Sequence, residues 1–284
     1  MHAQEAFCAR SPNLRMLLPW QRDKAEELIS KIGGFSMPPF VRTLLEAILG
    51  LALIAAVWIV AGGTVDNAKL PSLPVVLRKV IELAPSDDFL RHFGDSGTAL
   101  MLGLLPALLA GVFFGMIAGM SRGTRWLFGP FAVTLGGTPL VLLVPLFFAW
   151  WGVTIATKAA AVFVMVGFPI MNMVMVATGT KRPVVLNGNG SRRHAPIVDV
   201  NANAANTAAV AAAIIGGLRV GVVIGVTALV IVEFMAGNYG VGYFIAQSAN
   251  MSDMTATMAG IGVIAVPTIL MAAFLQAIQE QVAG

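Results

Sequence analysis

Six long apolar segments divide the chain, and most polar and charged residues lie between them. The segments cover residues 43–62, 99–120, 127–150, 156–179, 208–236 and 256–277. An α-helix needs about 20 apolar residues to cross the hydrocarbon core of a bilayer, and each segment is close to that length. The runs are continuous, whereas membrane β-strands alternate apolar and polar positions. The pattern therefore predicts an all-α polytopic membrane protein with six transmembrane helices.

Composition supports a lipid environment for this chain. Of its 284 residues, 57% are hydrophobic and 11% are charged, whereas a soluble domain has about 25% charged residues. So few charges cannot cover a surface that faces water, and the lipid bilayer is the expected partner of most of the surface. The net charge of +4 is then explained by membrane topology, and we expect no nucleic-acid partner.

Lysine and arginine are distributed unevenly between alternate loops. If residues 1–42 are cytoplasmic, the cytoplasmic segments hold Arg10, Arg15, Arg22, Lys24, Lys31, Arg42, Arg122, Arg125, Lys181, Arg182, Arg192 and Arg193. The external segments hold Lys69, Arg78, Lys79, Arg91 and Lys158. The positive-inside rule therefore predicts that both termini are cytoplasmic. The first 42 residues do not resemble a signal peptide, so we expect a cytoplasmic segment over 1–42 and a transmembrane domain over 43–284.

Two regions between the segments are not simple spans. Residues 64–96 are expected outside and contain LPSLPVVLRKVIEL, in which apolar residues surround Arg78 and Lys79. This stretch predicts an amphipathic turn or two at the membrane interface. Residues 237–255 are Gly-rich and partly apolar, which favours a short re-entrant segment at the outer face.

The familiar motifs of catalysis are missing from the sequence. There is no GxxxxGK[ST] motif, no GxGxxG after a strand, no CxxC and no HExxH. The three histidines, His2, His92 and His194, are far apart and are expected in loops, and the single cysteine, Cys8, is interpreted as an incidental thiol. We therefore expect no enzyme activity, no bound metal and no cofactor held by this chain.

Among the polar residues of the apolar segments, three are taken as candidates for function: Asn172, Arg219 and Glu233. Ionisable groups at membrane depth are functional candidates by default, so all three are candidates for a solute path. A structural alternative is open for two of them. Arg219 is close enough to the cytoplasmic face to snorkel, and Glu233 is placed to cap backbone donors of the Gly-rich segment that follows it.

A series of prolines, glycines and polar residues recurs through the third to fifth apolar segments. In order, it is Pro139, Pro145-Leu146-Phe147, Trp150, Gly152, Gly217-Leu218-Arg219, Glu233 and Gly240-Val241-Gly242-Tyr243. With these residues, the three segments resemble the membrane subunit of binding-protein-dependent ABC importers of the nitrate, sulfonate and taurine type. The resemblance covers roughly residues 70–250, together with a compatible first and last helix.

The resemblance implies a homodimer of six-helix subunits in the bacterial inner membrane, with a central solute path that opens alternately to each side. It also implies two cytoplasmic ATPase subunits, which would bind the ATP and Mg, and a periplasmic solute-binding protein. The solute is expected to be small and anionic, and nitrate, sulfonates, taurine, bicarbonate or a vitamin precursor all stay open.

The cytoplasmic loop over 180–207 departs from the family. In the family this loop holds a coupling helix with a Glu-Ala-Ala signature and a later Leu-Pro, and it docks on the ATPase. Here the corresponding positions include Pro183, Leu186, Arg192 and Arg193, and the loop contains no Glu and no Leu-Pro. Its Asn-Gly-Asn-Gly run is turn chemistry, so the sequence predicts an atypical, flexible coupling loop.

Two interpretations of residues 187–209 stay open. One is true divergence. The other is a shifted reading frame, because residues 187–195 can be encoded as AAT GGC AAC GGG TCT CGG CGC CAC GCG, and this choice of codons, read one base later, gives Met-Ala-Thr-Gly-Leu-Gly-Ala-Thr. Residues 203–209 can likewise give Met-Pro-Gln-Thr-Leu-Pro in the same shifted frame. The nucleotide sequence distinguishes the two interpretations.

Other functions compete with ATP-driven import. An ion-coupled secondary carrier would show internal repeats or a relay of carboxylates, and here Glu233 stands alone in the sequence. An intramembrane enzyme would need catalytic side chains that the sequence lacks. A permease without ATPase coupling is the third alternative, because the docking motif is disrupted.

We expect weak or absent ATPase coupling for the polypeptide as written. Ordering a flexible loop costs about 1–2 kcal/mol of backbone entropy per residue, and a preformed helix avoids that cost. The measurement is solute-stimulated ATP hydrolysis by the complex, compared with a variant whose residues 187–209 are replaced by the shifted-frame sequence. Normal stimulation of the unaltered chain would refute the prediction.

Overall fold

The computed structural model describes residues 39–64, 70–179, 184–186, 192–194 and 200–283. The predictions for most of the N-terminal segment, for His2 and Cys8, and for Pro183 lie outside these residues. Within them the α-helices are α1 Pro39–Thr64, α2 Leu73–Leu83, α3 Asp87–Met120, α4 Arg122–Gly137, α5 Val144–Trp151, α6 Ile155–Thr178, α7 Val200–Ala236, α8 Val241–Asn250 and α9 Met254–Ala283. A 3₁₀ helix, Leu140–Leu143, precedes α5.

The protein is an all-α polytopic membrane protein, as the apolar pattern predicts. Five of the described helices, α1, α3, α6, α7 and α9, are long and apolar enough to cross a membrane. A sixth span is present if α4 and the 3₁₀–α5 unit are counted together as one broken span. The short helices α2 and α8 occupy the two regions that were expected not to be spans.

The third apolar segment, 127–150, is not the single straight helix that the sequence predicts. It is broken after Gly137, and the two parts are bent by 88°. Thr138 is extended, with φ −85° and ψ 143°, because the residue before a proline avoids the helical region. Pro139 has no N–H to continue the ladder, so the chain restarts as a 3₁₀ turn.

The centre of the bundle is the contact between α3 and α6, with α7 packed against both. Four glycines of α3 face α6 at spacings of about one or two turns: Gly103, Gly111, Gly115 and Gly119. A Cβ at Gly103 would be 2.5 Å from the Ala159 carbonyl oxygen, and one at Gly111 would be 2.8 Å from Ile170 Cγ2. The glycines therefore allow a close approach of the two helices, as small residues do in membrane proteins.

An arginine joins the ends of the same two helices. Arg125 in α4 donates from Nη2 to the carbonyl oxygens of Gly119 in α3 and Met175 in α6, at 3.4 Å each. Carbonyls at helix C-termini carry partial negative charge. Arg125 thereby holds together the C-terminal ends of α3 and α6.

Helix α3 begins earlier than the sequence suggested, and this corrects the placement of His92. The Ser86 hydroxyl accepts a hydrogen bond from Phe89 N at 3.3 Å, and Asp87 and Asp88 occupy the first turn. Such a cap and acidic first turn favour a helix start. Residues 87–96 are therefore helical rather than part of an external loop, and His92 is buried in α3.

The loop between α6 and α7 contains more regular structure than was predicted. Leu186 lies in strand β1, Val184–Leu186, which pairs antiparallel with β2, Arg192–His194, and Leu186 is opposite Arg192. The backbone of His194 and of Arg193 is thus in a strand. Helix α7 starts at Val200, so residues 200–207 are helical and not loop. Alanine is the best helix former, and the Ala-rich run after Val200 explains the early start.

Helices α1, α2 and α9 form one side of the bundle. Helix α1 packs mainly against α9, and no residue in its most apolar 18-residue stretch is buried. Trp58 Nε1 donates to the Pro71 carbonyl oxygen at 3.0 Å, which ties α1 to the start of α2. Helix α2 buries Val76 and leaves Leu77 and Ile81 exposed, as expected of an amphipathic helix at a membrane interface.

Substituting Gly111 by alanine should lower stability by about 1–3 kcal/mol, because the new Cβ overlaps α6 and the helices must separate. The matched control is Gly94→Ala in the same helix, where nothing lies within 4 Å of the added Cβ. That variant should be neutral or slightly stabilised by the better helix propensity of alanine. The measurement is the Tm of both variants in detergent, and equal Tm values would contradict the close contact of α3 and α6.

Candidate functional site

Lys158 lies at the centre of a buried ionic network at the end of the bundle that carries α8. It is in the first turns of α6, and only 5% of its surface is exposed. Its Nζ donates to Glu233 Oε1 at 3.2 Å, to the Tyr239 carbonyl oxygen at 2.5 Å and to Asp95 Oδ2. An ammonium group has three donors, and these three contacts use all of them.

Glu233, near the end of α7, is still more deeply buried, with 1% of its surface exposed. Besides Lys158, it accepts from the Ser96 hydroxyl, 2.8 Å from Oε1, and from Gly242 N, 2.9 Å from Oε2. The contact that the sequence suggested, from a backbone donor of the Gly-rich segment to Glu233, is therefore present. Glu233 also makes an ion pair that the sequence did not reveal.

The same network caps the N-terminus of α8. Three successive backbone N–H groups donate to three different side chains: Gly240 to His92 Nδ1 at 3.1 Å, Val241 to Ser96 Oγ at 2.8 Å and Gly242 to Glu233. The first N–H groups of a helix lack intrahelical partners, and a carboxylate there is stabilised by the helix dipole. Side chains from α3 and α7 thus fix where α8 begins.

Two glycines make this arrangement possible. Gly240 has φ 120°, a conformation that side chains disfavour, and a Cβ there would be 2.1 Å from Glu233 Oε1. A Cβ on Gly242 would be 2.8 Å from the Val230 carbonyl oxygen. The next residue, Tyr243, packs its ring 5.8 Å from that of His92. The Gly-x-Gly-Tyr sequence is therefore explained by close approach of the backbone to Glu233 and by stacking.

The electrostatics of the network depend on all three charged groups. Asp95 and Glu233 contribute two negative charges and Lys158 one positive charge. Removing one partner of a buried ion pair leaves an uncompensated charge, which destabilises more than the intact pair stabilises. The network therefore acts as an anchor that specifies one position of α8 relative to α3, α6 and α7.

The structure does not bring the three sequence candidates together. Arg219 precedes Glu233 by fourteen residues of α7, a rise of about 21 Å, and Asn172 is displaced similarly along α6 from Lys158. Arg219 Nη1 donates to Gln276 Oε1 at 2.8 Å. Its Nε is buried and has no hydrogen-bond partner within the described part of the chain.

A second polar cluster, which surrounds Arg219, joins three helices. Gln276 Nε2 donates to Glu280 Oε1 at 3.1 Å, and the hydroxyl of Thr43 donates to Glu280 Oε2 at 3.1 Å. These contacts connect α7, α9 and α1 at the end opposite to Lys158. These contacts agree with the snorkelling alternative for Arg219, in which its side chain reaches from the apolar layer towards a polar end of its helix.

The remaining residues of the family pattern are mostly at turns and crossings. Pro139 precedes the 3₁₀ turn, Pro145 is in the first turn of α5, and Gly152 ends α5 with φ 65°. Gly217 packs on Ile170 where α7 crosses α6, and a Cβ on this glycine would be 3.4 Å from Ile170 Cγ2. Trp150 is 61% exposed and lies 6.2 Å from the ring of Phe147.

Sequence reasoning missed Lys158, Asp95, Ser96 and His92. Lys158 was counted among external basic residues, and His92 was placed in a loop. Lys158 had only a weak signal, because it is the third residue of the fourth apolar segment and so lies inside the edge of a predicted span. The Ser96–Glu233 contact joins residues 137 positions apart, and no local pattern reports such a pairing.

Glu233 also lines two cavities. One has a volume of about 370 Å³, is almost entirely apolar and lies between α3, α7 and α9. The other, also of about 370 Å³, includes the polar side chains of Tyr243, Gln247 and Asn250 on α8. The anchored start of α8 therefore stands between an apolar and a more polar compartment.

Comparison with known proteins gives two relatives of similar length, and no family model matches the chain. The taurine transport system permease protein TauC of Escherichia coli (strain K12) is 24% identical over 253 residues, which are 86% of this chain and 90% of TauC. The permease protein SsuC of Bacillus subtilis (strain 168), named for aliphatic sulfonates transport, is 26% identical over 251 residues. These are 84% of this chain and 86% of SsuC.

Neutralising Lys158 alone should destabilise the protein by about 3–5 kcal/mol, because Glu233 then stays buried without its counter-charge. The double variant Lys158→Gln/Glu233→Gln should lose less than the two single variants combined. The control is Lys79→Gln, which breaks a partly exposed pair with Glu82 and should change stability little. Additive effects in unfolding measurements would show that Lys158 and Glu233 do not interact.

Proposed function

We propose that this chain, whose homologues are permease subunits of ABC transporters for taurine and aliphatic sulfonates, is the membrane subunit of an ATP-driven importer for a small sulfonate. The main support for this proposal is the extent of the sequence similarity. It runs over 86% of this chain and 90% of the taurine permease, so it covers most of the chain rather than one motif. A transport subunit without enzyme activity accounts for that similarity.

The proposed assembly contains three further kinds of partner. Two ATPase subunits bind on the cytoplasmic side and hold ATP and Mg, because this sequence has no phosphate-binding motif of its own. A solute-binding protein docks on the periplasmic side, and a second copy of this chain completes the path. The distribution of lysine and arginine supports cytoplasmic termini, and it makes the α8 end the periplasmic end.

The arrangement of helices supports a path that is closed near α8. The Glu233 anchor holds α8 between the two cavities, and the apolar cavity continues from it along α3, α7 and α9. A polar solute crosses such a region only if α8 or its neighbours move. Helix α8, whose start this network holds, is then the element that must move for the outer side of the path to open.

A coupling-defective permease is the second candidate, and one observation favours it. The strands β1 and β2 and the early start of α7 occupy the position where the family has its ATPase-docking helix. Uptake and ATP hydrolysis must therefore be measured separately. A chain that folds and assembles but does not link the two activities would support this second candidate.

The test is uptake of radiolabelled taurine or ethanesulfonate by proteoliposomes that contain this chain, its ATPase and its binding protein. We expect uptake that requires internal ATP and is unaffected by a protonophore, and that is slow because the coupling loop is altered. A Walker-lysine variant of the ATPase is the matched control and should abolish uptake. Uptake that follows a proton or sodium gradient without ATP would instead support a secondary carrier.

A further inference from the structure

The two carboxylates that contact Lys158 differ in how deeply they are buried. The Glu233 side chain is 0% exposed, whereas the Asp95 side chain is 30% exposed. Lys158 lies between them, with 7% of its side chain exposed. The ammonium group is therefore paired with one fully buried carboxylate and one partly exposed carboxylate.

This asymmetry means that only one of the two ion pairs can be exchanged at little cost. If Glu233 left Lys158, a buried carboxylate would lose its counter-charge, which is strongly unfavourable. If Asp95 left, its carboxylate, which is already partly exposed, would lose less. An incoming anion in its place would keep the total charge of the site and all three hydrogen bonds of Lys158.

We propose that Lys158 binds the anionic group of the solute, which displaces Asp95 when the solute enters. This inference rests on the proposed import function and identifies the solute-contacting residue at the α8 end. The fitting ligand is a small monoanion with strong oxygen acceptors, of which a sulfonate is the expected example. Asp95 is then an internal competitor that occupies the site in the absence of solute.

The surroundings of Lys158 limit which ligands fit. The Tyr239 carbonyl oxygen and Glu233 Oε1 keep two of the three ammonium donors, so one acceptor position is free for exchange. A cationic solute would meet the carboxylates of Asp95 and Glu233 with a single ammonium between them and would not displace either. The site therefore selects for an anion that approaches from the exposed side of Asp95.

The decisive experiment measures direct solute binding to the permease–ATPase complex in nanodiscs, without the binding protein, because that protein dominates the KM of uptake. The probe is radiolabelled ethanesulfonate in equilibrium dialysis. Asp95→Asn should bind about three- to tenfold more tightly than the unaltered chain, since a competing charge is removed. Lys158→Gln should lose binding.

The matched control is Asp87→Asn, which removes the same charge from an exposed position at the start of the same helix. It should leave the affinity unchanged, so that a general electrostatic effect is separated from competition at Lys158. A second variant, Asp95→Ser, provides the same comparison if the asparagine variant does not assemble. Structural damage does not tighten binding, so a gain of affinity in either Asp95 variant supports the exchange.

Unchanged or weaker binding in both Asp95 variants, with the Asp87 control intact, would overturn the inference. Equal tightening in the Asp87 and Asp95 variants would also overturn it, since the effect would then be long-range. The proposed function fails in a different way, through absence of ATP-dependent uptake by the unaltered complex. An unaltered complex that imports ethanesulfonate while Asp95→Asn binds no more tightly would disprove only the role of Lys158.

Discussion

The ion pair between Lys158 and Glu233 is the interaction on which this end of the molecule depends. A charge inside an apolar bundle is tolerated only with a partner and with its remaining hydrogen bonds satisfied. That requirement explains the hydroxyl of Ser96, the carbonyl of Tyr239 and the absence of a side chain at Gly240. The start of α8 is in turn fixed by acceptors that the network holds in place. A few polar groups thus determine the position of a helix in a bundle otherwise built from apolar packing.

The spans were predictable because the thickness of a bilayer sets the length of an apolar segment. The break at Pro139 was less predictable, since proline is also tolerated inside the helices α3 and α6, as at Pro106 and Pro169. What distinguishes Pro139 is the Gly-Gly-Thr sequence before it. Composition alone does not decide whether such a site bends a helix or breaks it.

The ionic network was only half predictable for a different reason. Glu233 is visible as a carboxylate inside an apolar run, but its partners are at the edges of other runs, where charged residues are ordinary. Asp95 and Lys158 are 63 positions apart, and their pairing follows from how α3 and α6 cross. In the loop before α7 the missed feature was local rather than long-range. The helix propensity of alanine predicts the helical residues 200–207, but the nearby Asn-Gly turns led us to expect a loop.

The glycine contact between α3 and α6 has a mechanical consequence. Two helices that approach backbone to backbone over four glycines, and whose ends are joined by Arg125, cannot slide or bend independently. They behave as one beam, about 30 Å long from Lys158 to Thr178 on α6. A force applied where α6 leaves the bundle would therefore reach the opposite end as a tilt of the whole beam, with Lys158 carried at its tip.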